Sequence, residues 1–198
     1  MAKAKKSKPA VKAVKKLKKA SSAIKKSGKK VVVKKKRVKS KKVSAVPKGY
    51  HSVTPYLIMR QCADAIEFYK KAFGAKEMMR MEKEVGKIGH AELTIGDSKI
   101  MLADEHLELN ARGPQTVGGT PVSLYLYMKN VDAIFKQALE AGATEIRPVA
   151  DQFYGDRSGG LQDPFGHIWY IATHVEDVTP AQIKKRLAEM AAQGQKPC

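Results

Sequence analysis

His90 and Glu92 stand two apart in HAELTIG, and on an extended strand that spacing puts an imidazole and a carboxylate on one face. Such a pair can move a proton near neutral pH, or offer two ligands to a divalent cation. Two ligands fall short of a metal site, and no third is evident, because His167 and His174 differ in parity or position. Those two histidines are expected to hydrogen-bond to a ligand or to neighbouring groups. In Asp156-Arg157 the aspartate is expected to tie a loop and Arg157 to reach an anionic ligand. His51 and His106 fall in expected loops and carry no signal. Cys62 sits where a helix should begin, a position that can lower a thiol pKa, although a small buried residue is the usual fate of a free cysteine. With Cys198 the only other cysteine, the chain has no disulfide framework, which suits a reducing compartment.

The elements that must position these residues repeat. Asp64-Ala65-Ile66 recurs as Asp132-Ala133-Ile134, and Gly74-Ala75-Lys76-Glu77 as Gly142-Ala143-Thr144-Glu145, both at an offset of 68 residues. Between each pair lies a helical pattern: Cys62, Ala65, Ile66, Tyr69, Ala72 and Phe73 in the first, Val131, Ile134, Phe135, Ala138 and Leu139 in the second. Each ends at a glycine suited to a left-handed cap, and Asn130 is a candidate N-cap. Strands are expected at 53–59, 76–83, 88–95 and 98–104, then at 121–128, 144–150, 153–162 and 167–173. Gly96-Asp97 and Asp163-Pro164-Phe165-Gly166 read as hairpin turns. The fold class is therefore α+β, with two tandem strand–helix–three-strand units, 51–104 and 121–174. The Gly-rich connection 105–120 is long for a turn and suits a lid. After it, Thr179-Pro180-Ala181-Gln182 has capping-box spacing and opens a C-terminal helix within 176–198, with Ile183, Leu187, Met190 and Ala191 on one side.

Strand alternation sorts the faces. Ala91, Leu93 and Ile95 suit a helix-packed face, as do Ile100, Leu102, Pro55, Leu57, Met59, Val122, Leu124, Leu126 and Met128. The opposite face receives His90, Glu92, Thr94, Lys99, Met101, Thr54, Tyr56, Ile58, Ser123, Tyr125 and Tyr127. Aromatic and apolar groups with a few polar ones suit a small-molecule site, and they equally suit a solvent face carrying strand-favoured tyrosines.

The 198 residues carry a net charge of +19, concentrated at one end. Residues 1–48 hold 21 Lys and Arg and no acid, leaving 17 basic residues against all 19 acids, a net of −2, from residue 49 on. Built from Lys, Ala, Val and Ser, this segment buries too little surface to offset its ordering cost, and a disordered tail is expected. It is similar to the tails of linker-histone-like proteins, notably in KKSKPAVKAVKKLKKA. Lys15, Lys16, Lys18, Lys19, Lys34, Lys35, Lys36, Arg37, Lys39, Lys41 and Lys42 are candidate contacts to nucleic acid or another polyanion, without sequence specificity. The other reading is a solvating extension with no fixed partner. No apolar run approaches the ~20 residues of a membrane helix, and lysines interrupt any signal-like stretch. The expected setting is cytoplasmic and nucleoid-associated, or nuclear in a nucleated cell, since VKKKRVK (33–39) looks like a nuclear localisation signal.

TPYL (54–57), AIEFYKKAFGA (65–75), HAELTIGDSKIML (90–102) and YGDRSGGLQDPFGHIW (154–169) occur in order across 51–174. In these words the chain resembles the vicinal oxygen chelate superfamily of glyoxalases and bleomycin-resistance proteins, most closely its PhnB-like branch. The resemblance implies a domain at 49–175 whose two βαβββ units form a cupped eight-stranded mixed sheet, a small-molecule pocket on the helix-free face, and a homodimer. It also locates the superfamily's metal-ligand positions at Thr54, Met101, Ser123 and Tyr170, none of which suits a divalent transition metal. No metal or other cofactor is expected, and Tyr56, His90, Glu92, Met101, Ser123, Tyr125, Tyr127, Arg157 and Tyr170 become the ligand-binding candidates. His90 and Glu92 are also the catalytic candidates. Two rivals remain: a metal-dependent enzyme of glyoxalase or dioxygenase type, and a nucleic-acid-associated protein using the fold as a dimerisation scaffold.

Overall fold

The computed structural model describes residues 43–194, and a compact unit begins at Ser44. Residues 1–42, with every lysine and arginine singled out for polyanion contact, lie outside the described residues, as does Cys198.

The first unit runs β1 (Tyr56–Met59), α1 (Cys62–Phe73), β2 (Lys76–Glu84), β3 (Lys87–Ile95) and β4 (Ser98–Asp104). A connector carries a 3-10 turn, Leu107–Leu109, and α2 (Pro114–Val117). The second unit repeats the pattern as β5 (Ser123–Tyr127), α3 (Val131–Glu140), β6 (Thr144–Asp151), β7 (Asp156–Gln162) and β8 (Ile168–His174), and α4 (Pro180–Ala192) follows. The eight expected strands are thus all present, divided between two four-stranded sheets ordered β1-β4-β3-β2 and β5-β8-β7-β6. Each is mixed: the first strand lies parallel to the last, and the other pairs are antiparallel.

Local chemistry explains the helix ends. Asp104 on β4 accepts the Cys62 amide at 2.9 Å, placing a carboxylate at the α1 N-terminus, and Gly74 closes the helix in the left-handed region at φ 66°. The Asn130 side chain accepts from Ala133 N at 3.1 Å, and Thr179 with Gln182 forms the expected capping box. No residue of α4 is buried: Ile183, Leu187 and Met190 are half-covered, and Ala191 is exposed.

One apolar core joins both units. It takes Leu57, Met59, Leu93 and Leu102 from the first sheet, Ile66, Tyr69 and Phe73 from α1, Phe135 from α3, and Leu161, Trp169 and Ile171 from the second sheet. Gln137 of α3 donates to the carbonyls of Lys71 and Ala72 at 2.7 and 3.0 Å, tying the helices together. The helices therefore cover one face of each sheet, and the alternating side chains form two outer faces. Strand alternation sorted the described residues as expected with one exception. Val122 is 64% exposed, because it lies outside the strand, one residue before β5 begins. The strand expected from 153 begins only at Asp156, since Gly155 turns the chain at φ 100° and donates to Gln152 O at 3.0 Å.

The connector, expected to suit a lid, is tied to the first unit at several points. The Glu105 carboxylate accepts from Gly113 N at 2.7 Å and from Arg60 at 3.3 Å, and Arg60 also donates to Thr116 at 2.8 Å. Gly113 is needed because a Cβ there would fall 2.7 Å from Ile58 O.

Candidate functional site

The Asp163-Pro164-Phe165-Gly166 turn holds the second sheet to α1. Asp163 is buried, and one carboxylate oxygen accepts the amides of Phe165 and His167 at 3.0 and 2.9 Å. The other accepts Tyr69 OH at 2.7 Å and Trp169 Nε1 at 3.0 Å. His167 is buried beside it and, as burial disfavours the cation, held below the usual histidine range. This motif is a structural clamp, with its polar groups turned into the interior.

On the first outer face, β1, β3 and β4 bring together Tyr56, His90, Glu92 and Met101, as sequence alternation predicted; Met101 lies opposite both Tyr56 and Glu92 in register. The His90 ring meets Tyr56 edge to face at 5.5 Å. Its Nε2 stands 3.4 Å from Glu92, a weak contact. Glu92 is instead held by the Tyr50 hydroxyl, with Lys99 at 4.0 Å and the Lys99 ammonium over the Tyr50 ring. The Tyr50 hydrogen bond lowers the Glu92 pKa. A groove of about 790 Å³ continues from Tyr56 and Ile58 past Ile88 and Ala103 to Leu107 and Leu109 of the connector. Lys83 and His106 meet at its rim.

The second outer face gathers Ser123, Tyr125, Tyr127 and Tyr170. Tyr125 and Tyr170 lie opposite in register with rings 25° apart, and Tyr127 packs on Tyr125 at 5.1 Å between centroids. Asp156 is buried beneath them. It accepts from Tyr127 OH at 2.8 Å and Tyr125 OH at 3.4 Å, and contacts His174 Nδ1 at 2.7 Å. Burial raises the Tyr125 phenol pKa; the bond to Asp156 raises that of Tyr127. Asp156, foreseen as a loop tie, is thus the polar centre of this face.

Arg157 is a correction. It lies on the α3 side of β7, donating to Asp132 at 2.7 and 2.9 Å and to Asp151 at 3.1 Å, and is spent on structure. Its sequence signal was its parity with Gly159 and Leu161, which face the core. The cation on the tyrosine side is Arg147 of β6, which sequence reasoning missed. Pro148 and two register shifts obscure the alternation of that strand.

The described strands form two four-stranded sheets, and a cavity of about 520 Å³ is lined by Lys99 of the first and by Tyr125 and Tyr127 of the second. No hydrogen bond, ion pair or ring contact joins the His90 group to the Tyr125 group among the described residues. Of the positions to which the family resemblance assigns a metal, Met101 and Tyr170 sit within β4 and β8 on the outer faces. Ser123 opens β5, and Thr54 precedes β1 with its hydroxyl on His51 O. A thioether, two hydroxyls and a phenol do not fit a divalent transition metal. Among the described residues no group of three or more His, Cys, Asp or Glu side chains could share an ion. Cys62 is fully buried, and burial pushes its thiol up to about 12, so it is no nucleophile. No described helix is long and apolar enough to cross a membrane.

Residues 49–171 match the family model of the glyoxalase/bleomycin resistance protein/dioxygenase superfamily. The chain belongs to this superfamily. An uncharacterised protein of Mycobacterium bovis is 40% identical over 146 residues, 72% of this chain and 94% of that protein. A solved gene product of Arabidopsis thaliana is 27% identical with a TM-score of 0.52, covering 62% of this chain and 98% of its own. The fold is also shared with a PhnB protein from Bacillus cereus, 20% identical at a TM-score of 0.50 over 62% of this chain and 99% of that one.

Proposed function

We propose that this chain is a PhnB-like, small-molecule-binding member of the superfamily that takes its ligand on the outer sheet faces without a metal. The observation that carries this reading is the tyrosine wall of the second face. Tyr125 and Tyr127 remain 45% and 59% exposed while their hydroxyls converge on a buried carboxylate, which is the composition of a ligand site. Each outer face is open along the unpaired edges of β1 and β5. A homodimer that sets the first face of one copy against the second face of another would close both and cover those edges. Fragment screening of the full-length protein by NMR tests the site: shifts are expected at Tyr125, Tyr127 and Tyr170. Sedimentation at micromolar concentration is expected to give a dimer. Elemental analysis is expected to give less than stoichiometric metal, and one nickel, zinc or iron per chain would promote a metal-dependent enzyme instead.

The basic residues 1–48 are proposed to hold this domain to nucleic acid or another polyanion in a cytoplasmic, nucleoid-associated setting, or in a nucleus. Binding to two unrelated duplexes should then be alike. With ~6–10 phosphates neutralised, affinity should fall about 10³–10⁵-fold between about 50 and 200 mM salt. Salt-insensitive binding, or binding kept after deletion of residues 1–48, would move the contact to the folded part.

A further inference from the structure

The arginines of the described chain are not used alike. Arg60, Arg80, Arg157 and Arg186 each grip a carboxylate. Among the described residues Arg147, half-buried on the second outer face, has no carboxylate within ion-pair distance; Arg112 has none either, but is exposed. The one hydrogen bond of Arg147 runs from Nη2 to the hydroxyl of Ser158 at 3.0 Å. Its Nε is covered and has no acceptor. A guanidinium carries five N–H donors in a planar fork, so most of this one is unspent on the described residues, with its Nε shielded from water.

The surroundings say what such a fork would take. Tyr125, Tyr170, Gly160 and Arg147 stand in one cross-strand row over β5, β8, β7 and β6. Gly160 leaves a bare floor: a Cβ there would lie 2.8 Å from the Tyr170 ring and 3.6 Å from Arg147 Cβ. The Tyr170 ring occupies that floor, and the guanidinium lies over it at 5.2 Å. The row is thus an aromatic wall ending in a cation with free donors. Asp156 at the other side of the tyrosines disfavours a ligand with more than one negative charge.

Building on the small-molecule reading of this face, we infer that Arg147 is its anion anchor and that the ligand is an aromatic carboxylate. The carboxylate accepts from the guanidinium fork, and the ring extends the Tyr125–Tyr170 stack.

The test titrates the full-length protein with 1-naphthoate, its neutral counterpart 1-naphthalenemethanol, and inorganic phosphate, following arginine Nε–H resonances by NMR. Naphthoate is expected to shift Arg147 and to bind about tenfold more tightly than the alcohol. R147M should erase that preference while leaving alcohol binding in place, and R147K should keep part of it. K136M, on the exposed side of α3, should keep all of it. The wild-type Arg147 shift needs no variant, and G160A, which crowds Tyr170, should weaken both aromatic probes. Equal affinity for acid and alcohol, a preference that survives R147M, or an Arg147 shift from phosphate but not naphthoate would overturn the inference. If neither aromatic probe perturbs Tyr125, Tyr127 or Tyr170, the small-molecule reading of the face fails, and this inference with it.

Discussion

The two units share a topology and spend their polar groups differently. In the first, the β3–β4 hairpin turns on Gly96-Asp97, exposed, with the Asp97 carboxylate bonded only to the next residue, Ser98. In the second, the β7–β8 hairpin turns on Asp163, buried, with four donors converging from the turn, β8 and α1. The outer faces differ too. The first carries Glu92 and Lys99 with the His90 ring beside a groove; the second carries tyrosines around one buried carboxylate and, among the described residues, one unpaired arginine. A duplicated fold thus places its carboxylate clamps differently: at the hairpin turn in the second half, and in the first on Asp104 at the end of β4, which accepts Cys62 N at 2.9 Å and Ile88 N at 2.7 Å.

Substituting the turn aspartates would break this comparison most directly. Each buried donor left without an acceptor costs about 1–3 kcal/mol, so D163A, which orphans four, is expected to cost more than about 3 kcal/mol in urea unfolding. D97A should stay within about 0.5 kcal/mol. Equal losses would mean that Asp163 is only a turn residue. Y69F removes one donor from Asp163 and keeps the ring, so a loss of about 0.5–1.5 kcal/mol is expected.

The second face is further sharpened by His174, whose pKa is raised by the carboxylates of Asp156 and Asp177. A raised folded-state pKa stabilises below the unfolded value of about 6.5, and the contribution is lost as pH climbs through the folded value. The melting-temperature advantage of wild type over H174Q should therefore shrink from pH ~6 to pH ~8. The smallest effect belongs to the first face. Glu92 is expected to titrate below the ordinary value of about 4.3, and Y50F should move it upward in an NMR titration.

Element order, helix caps and the sidedness of β1, β3, β4 and β5 were legible in the residues, because period and capping chemistry act between near neighbours. The chain's words also pointed to the superfamily that residues 49–171 match. Partner choice was a different matter. Arg157 and Arg147 are alike in type and both lie on strands of the second unit. Which one is neutralised depended on where Asp132 and Asp151 came to stand. Asp163 looked like a turn former, and only the arrival of Tyr69 from 94 residues away made it a clamp. The division of the strands into two sheets, with helices between and two outer faces, likewise follows from long-range packing of one shared core. The sequence by itself determined elements and faces, since those follow from short-range stereochemistry. Tertiary structure alone decided which charges were paired, because a buried ion's partner is set by whatever the fold brings within a few ångströms.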